Sequence, residues 1–399
     1  MPTTKHLEFE AFDRQAANEA FLTAAAKRTM VHQKLAGKVT WPTGLDPKVR
    51  PSFGSFTPGV NITTKVNVPT DVLILLYTNQ ETQALLDVFT GNDTWDATVK
   101  SKWYPYAHNF NTLSADIGGM NKNTLLRNGI FGHFFPMQIG NKQVVLYKTE
   151  LHPKNDGNKV PFIPVIKQIV SELAPKLVIT TGTAGGVGAT LKCGDVVITD
   201  TTGLHCRDTY PTIPDMNTLT NNDTPIKSKG AMTVDKTKMD YVRNNYLQLS
   251  VPGLDTCLSK FAGDSTYSFV KKNDPSTIYV KGQNDLPGQQ PMSTISADYI
   301  TVSDNFNVEG LNGLGSMNDT DDGFAAYAIS LLPAAQQPQW LSIRNASEPE
   351  MVTATKTPGT LGQAVHTLEN LAGPIYQVYQ YCTTINSAFA CWGVIAGMA

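Results

Sequence analysis

The chain has 399 residues, 41% of them apolar and 17% charged, with a formal net charge of −2 at neutral pH. That length holds two average domains or one large α/β domain with insertions, and the composition is that of a globular chain with a sizeable core. The near-neutral balance gives no electrostatic footprint for nucleic acid or an anionic membrane, and no apolar run approaches the roughly 20 residues that span a bilayer.

The first eight residues carry no apolar leader-like stretch, and the five cysteines (Cys193, Cys206, Cys257, Cys382, Cys391) are odd in number with no C-x-x-C pair. Both features point to reduced thiols and a cytoplasmic location. Residues 8–36 read as an amphipathic helix with Phe9, Phe12, Ala16, Ala20 and Ala24 near one face and Gly37 as its stop. Pro42 to Pro58 is turn-rich and is expected to be a connecting segment. Residues 1–64 are therefore assigned to a helical extension and linker and residues 65–399 to the main domain. Residues 8–36 are expected to pack at or near a homodimer interface, with packing back on their own domain as the alternative, in a protein expected to be a homodimer or higher homo-oligomer.

The run Asp71–Tyr77 is continuously apolar and predicts a strand buried on both faces, followed by a helix over 80–90. Val144–Tyr147 predicts another strand, 162–174 a helix, and Leu177–Gly182 a buried strand running into a turn with three glycines in five residues. Strands are also expected over 194–200, 295–302 and 340–345, with helices near 322–333 and over 359–399, the last broken at Gly373-Pro374. Between about 207 and 290, Asn, Asp, Thr, Lys and Pro dominate, which predicts a polar, irregular insertion. The alternation of buried strand and helix argues for an α/β fold with a mostly parallel sheet covered on both sides.

The turn Gly182-Thr183-Ala184-Gly185-Gly186, running into Cys193-Gly194-Asp195-Val196-Val197, resembles the GSAGG and GDVV elements of the nucleoside phosphorylase and nucleosidase superfamily. The resemblance spans roughly 70–390, interrupted at 207–290, and the matching elements occur in one order along the chain. It implies a three-layer α/β sandwich with a mixed, mostly parallel sheet, a nucleoside as small-molecule ligand, no cofactor, and cleavage of an N-glycosidic bond. Such a site must orient the nucleophile, hold the sugar hydroxyls and help the base leave.

The resemblance distributes these roles over four segments. Glu81, just after the first buried strand, matches the glutamate that orients water; from the residues alone it is a first-turn acid favouring its helix. Met317-Asn318-Asp319-Thr320-Asp321-Asp322 resembles the methionine-glutamate element whose acid binds ribose, with Asp321 or Asp322 in the acid's place; the alternative is a helix cap. Arg344-Asn345-Ala346-Ser347-Glu348 resembles R-x-x-S-D, whose acid serves N7 of a purine, with Glu348 replacing aspartate and moving the carboxyl by about 1.5 Å. Tyr299 and Phe306 lie where a ring stacks on the base. Thr183, Ala184, Gly185, Arg344 and Asn345 complete the expected binding residues, with Glu81 and Glu348 as the catalytic pair.

No H-x-H or H-E-x-x-H group, G-x-S-x-G elbow or phosphate-binding P-loop competes, and no metal site is expected. The polar run Lys148–His152 either lines a pocket or ends its strand. Where phosphorylases place an arginine two residues before Gly182, this chain has Thr180, and the first loop, Tyr77–Gln80, offers neither glycine nor arginine. A missing cationic fork favours water over phosphate as the nucleophile. A hydrolytic nucleosidase is expected, with a phosphorylase or a non-catalytic nucleoside-binding or storage protein on the same fold as alternatives.

Overall fold

The computed structural model describes residues 39–90, 102–115, 117, 124–153, 160–188, 191–206, 224–230, 233–247, 267–269, 276–288, 290–297, 310–348, 351–353 and 361–398. The predicted helix at 8–36 lies outside these residues, as do Tyr299 and Phe306.

The main elements, in chain order, are β1 (Val72–Leu76), α1 (Asn79–Thr90), β2 (Gly132–Ile139), β3 (Lys142–Thr149), α2 (Phe162–Leu173), β4 (Leu177–Gly186), β5 (Val196–Thr199), β6 (Thr201–His205), α3 (Lys236–Asn245), β7 (Thr294–Ala297), β8 (Met317–Asp319), α4 (Asp322–Ser330), β9 (Gln339–Glu348) and α5 (Leu361–Ala396). They form a 13-stranded mixed sheet among the described residues. Its centre is parallel: β3 beside β1, β1 beside β4, and β4 beside β9. Antiparallel strands flank that centre, β2 on β3 and β5 on β9.

The five residues of β1 are fully buried, as the unbroken apolar run predicts, because helices cover both faces of the sheet. Val72, Ile74 and Leu76 face one core with α1, α3 and α5, while Leu73, Leu75 and Tyr77 face a second core with α2 and α4. Each such side chain contributes roughly 1.5–3 kcal/mol by leaving water. The result is the three-layer α/β architecture expected from the sequence.

Four expectations are revised. The glycine-rich stretch 182–186 is not a turn but the end of β4, paired with β9 through Gly185 and with β8 at Gly185 and Gly186. The Pro42–Pro58 segment is not a bare connector: Pro47–Val49 pairs with β2, Phe53 is fully buried, and Trp41 packs on Trp392 with ring centroids 4.7 Å apart. Within 207–290, Ile278–Val280 extends the sheet in parallel beside β5, and α3 buries Met239 and Val242 against the core. Apolar residues are sparse there, but their i, i+3 spacing puts them on one helix face. Finally, α5 runs through Gly373-Pro374 without a break. A proline removes one intrahelical hydrogen bond, a loss of about 3 kcal/mol, and the buried second half of α5, from Tyr379 to Ile395, outweighs it. No helix among the described residues is long and apolar enough to cross a membrane.

Candidate active site

The site forms where the sheet divides around β4. Strand β1 pairs with β4 as far as Thr180, and β8 joins β4 only at Gly185 and Gly186. Between them, residues 181–184 have a strand neighbour on the β9 side, leaving the other edge of β4 without a ladder partner among the described residues. A buried backbone N–H left out of a ladder needs another acceptor. Glu81 supplies it: its Oε1 accepts from the Thr183 N–H at 2.8 Å and from the Thr183 hydroxyl at 2.8 Å.

Local sequence aims Glu81 there. Thr78-x-x-Glu81 is a capping box at the start of α1: the Glu81 N–H donates to Thr78 Oγ1 at 3.3 Å, and the Thr78 N–H donates to Glu81 Oε2 at 3.0 Å. The carboxylate is 1% exposed and accepts three hydrogen bonds, so one of its roughly four acceptor directions stays open. Gly182 makes room for it. A Cβ there would meet Glu81 Oε1 at 2.4 Å, and the φ of +149° is one that side chains resist. Glu81 thus caps α1 through one oxygen and holds Thr183 through the other.

Beneath the glycine-rich end of β4 lies Arg344, which alternation along β9 points toward α4. Its Nε and one terminal nitrogen donate to the two oxygens of Asp322, at 3.0 and 2.5 Å, and its other terminal nitrogen donates to the Thr183 carbonyl at 3.0 Å. The guanidinium also lies 5.1 Å from the Tyr77 ring centre. Burial works against charge on Asp322, but the Arg344 guanidinium, Asp319 and the Ser342 hydroxyl outweigh it and hold the carboxyl below its ordinary range. Arg344 and Asp322 are a mutually satisfied buried pair supporting this end of β4.

Asp321 and Glu348 differ from that pair. Burial pushes the Asp321 carboxyl up to about 7, with Arg344 opposing and the charge on Glu81 adding to the rise. Its Oδ1 has no hydrogen-bond partner among the described residues, although His152 Nε2 stands 3.5 Å away. Burial likewise pushes Glu348 up to about 8, with the Ser347 hydroxyl opposing and Glu81 adding. Glu348 Oε2 accepts from Ser347, while its Oε1 is buried without a partner among the described residues. Both acids act through space on or from Glu81, so the cluster is one electrostatic unit. A bulge in β9 between Ala346 and Glu348 brings Glu348 level with Gly185, and bulges of this kind re-aim side chains.

The expected residues therefore separate. Glu81, Thr183, Asp321, Asp322, Arg344 and Glu348 converge. Asn345 does not: alternation sends it to the opposite face, where its amide donates to the Gly182 carbonyl at 2.7 Å and to Ser387 at 3.0 Å. It braces the end of β4 against α5. The Ala184 methyl packs in an apolar cluster with Leu191, Val197 and Met317, and Gly185 pairs with Asn318, leaving those two only backbone to offer.

Two residues escape the sequence reading. Asp319 Oδ1 accepts from Ser296 Oγ at 2.5 Å and from the Asp321 and Asp322 N–H groups at 2.9 and 3.1 Å. Burial and the Asp322 charge push its carboxyl well above its ordinary range. Its i+2, i+3 bonding is that of a side-chain turn at a helix start, legible in Asp-x-Asp-Asp. His152, whose Nε2 also lies 3.2 Å from Thr320 Oγ1, stands at the half-open rim beside Asp321. Only the polar run at the end of β3 hints at it.

No family model matches the sequence, and no curated protein does. Solved structures similar to this chain include the 5′-methylthioadenosine/S-adenosylhomocysteine nucleosidase of Neisseria meningitidis, at 13% identity and TM-score 0.42 over 82% of this chain and 100% of that one. They also include the futalosine hydrolase of Helicobacter pylori, at 12% identity and TM-score 0.42 over 82% and 97%. A mutant of the Helicobacter pylori methylthioadenosine nucleosidase, with 5′-methylthioadenosine in its active site, matches at 13% identity and TM-score 0.43 over 82% and 99%. These likenesses are distant, and the functional reading rests on the chemistry of the cluster itself.

Proposed function

We propose that the protein is a nucleosidase that hydrolyses the N-glycosidic bond of a nucleoside. The observation that carries this reading is the pairing of a fixed carboxylate, Glu81, with a proton-holding carboxyl, Glu348, around the glycine-rich end of β4. Each keeps acceptor capacity that the fold does not use. Glu81 orients a water and takes one of its protons as the oxygen attacks the anomeric carbon. The carbon–nitrogen bond breaks with its electron pair going to the base, and Glu348 passes its proton to a ring nitrogen of that base. Transfer of a proton back from Glu81 to Glu348 through solvent resets the site. Asp321 accepts from sugar hydroxyls through Oδ1, and the Arg344–Asp322 pair holds the end of β4 that fixes Glu81.

Water is the nucleophile on this reading because each of the three Arg344 nitrogens is already committed, two to Asp322 and one to the Thr183 carbonyl. The guanidinium keeps two N–H groups but lies among the Asp319, Asp321 and Asp322 carboxyls, which a phosphate dianion would have to displace or meet as like charge. A purine is the favoured leaving group, since its imidazole ring offers a nitrogen for Glu348 to protonate. A homodimeric, cytoplasmic enzyme belongs to the same reading.

The test is a nucleoside panel assayed for free base, with and without phosphate, on the wild type and on Glu81→Gln. Loss of turnover in the variant with nucleoside binding kept supports the assignment. Unchanged turnover removes Glu81 from the chemistry. Intact nucleoside bound by the wild type without cleavage would make the protein a binding or storage protein.

A further inference from the structure

Tyr77 is a buried titratable group of the cluster that the chemistry above leaves unused. It follows β1 directly, immediately before the Thr78–Glu81 capping box, and is 6% exposed. Its ring lies against Phe162, with centroids 6.0 Å apart, and against the Arg344 guanidinium. Both contacts use the ring and would serve a phenylalanine equally. The hydroxyl is the part without an explanation: Tyr77 Oη is buried with no hydrogen-bond partner among the described residues. Such an orphan costs roughly 1–3 kcal/mol.

The surroundings indicate what it serves. Burial raises the phenol well above its ordinary range, and Asp322 and Asp321 are the charges that raise it most after that. The group is therefore a hydrogen-bond donor at every working pH, set beside the acids of the site. The Arg344 guanidinium that lies over the Tyr77 ring is also 3.7 Å from Asp321 Oδ2, and Asp321 Oδ1, with His152 Nε2 3.5 Å away, makes no hydrogen bond among the described residues. A donor without an acceptor and a carboxylate oxygen without a hydrogen bond in one cluster suit a ligand group that both donates and accepts, and an alcohol does both.

We propose that Tyr77 is a substrate-contacting, specificity-determining residue, its hydroxyl donating to the oxygen of a sugar hydroxyl whose own proton goes to Asp321. This rests on the nucleoside reading. It makes the enzyme selective for a sugar hydroxylated at that position, because a deoxy sugar leaves both Tyr77 Oη and Asp321 Oδ1 unpaired.

The experiment compares wild type and Tyr77→Phe on a ribonucleoside and its 2′-deoxy and 3′-deoxy counterparts, with melting temperatures of the free proteins. The variant should lose roughly tenfold in kcat/KM on the ribonucleoside, the scale of one hydrogen bond. That loss should fall to within about twofold on one of the two deoxynucleosides, which identifies the hydroxyl. The free variant should melt at the same temperature or higher, since an unpaired group has been removed. Equal losses on all three substrates, no loss on any, or a lower melting temperature would each overturn the assignment. If the wild type cleaves none of them, the hydrolytic reading fails separately. Calorimetric affinities of the same three ligands for the two proteins then decide the contact by the same pattern.

Discussion

Substituting Gly182 by alanine tests the architecture of the site with one carbon atom. The added Cβ would lie 2.4 Å from Glu81 Oε1 and 2.6 Å from Glu81 Cδ. Ordinary contact needs about 3.4 Å or more, so the carboxylate must retreat by roughly 1 Å or the end of β4 must deform. Retreat breaks the two bonds from Thr183, each now 2.8 Å. A misplacement of about 1 Å costs roughly a hundredfold in rate, and forcing an alanine into the φ of +149° costs about 1–3 kcal/mol more. The assay is initial-rate release of free base, with thermal melting on the same samples. The expected result is a roughly hundredfold lower kcat with a protein that still melts cooperatively, a few degrees lower. A variant within about threefold of wild-type kcat and with unchanged melting would refute the role given to Gly182.

Further outcomes follow from the same geometry. Thr183→Val removes one of two Thr183 donors to Glu81 while keeping shape, and should lower kcat roughly tenfold with little effect on folding, read by steady-state kinetics beside urea melts. Arg344→Met strands the buried Asp322 charge and should destabilise the fold by about 3–5 kcal/mol, read from denaturant midpoints. Glu348 and Asp321 have carboxyls raised in the folded state, so the stability they confer is complete below the ordinary carboxylate range and is lost as pH rises through about 7 and 8. Melting temperature should therefore fall over that window, and Glu348→Gln should flatten the upper part. Base release should fall above about pH 8 in the wild type, where Glu348 loses its proton. Deleting residues 1–38, which stops short of Trp41, should reduce the assembly to monomer by light scattering; an unchanged mass removes the interface role expected for residues 8–36.

Where the sequence is informative, the reason is local periodicity. The β1 run and the alternating residues of β4 and β9 report burial on both faces, and their strands lie where the pattern puts them. Thr78-x-x-Glu81 is a cap readable from four residues, but that its carboxylate also satisfies Thr183, 102 positions away, depends on β1 ending before β4 does. The sequence places Asn345 on the ligand because the R-x-x-S resemblance ignores alternation: in a strand, neighbours of Arg344 must face the other side. Asp321 and Asp322 are inseparable in the sequence, since their difference is tertiary. One meets Arg344 in a two-bond fork, while the other is buried beside Glu81. Asp319 draws no notice in the sequence because its function is to bond the backbone of its own turn.

The central claim is that Glu81 activates water, so the product formed when nucleoside and excess phosphate are both present is the most direct test. Phosphorus NMR of that reaction should show the inorganic phosphate signal unchanged while free base and free ribose accumulate at the rate seen without phosphate. Growth of a ribose 1-phosphate signal, with turnover that requires phosphate, would contradict the account.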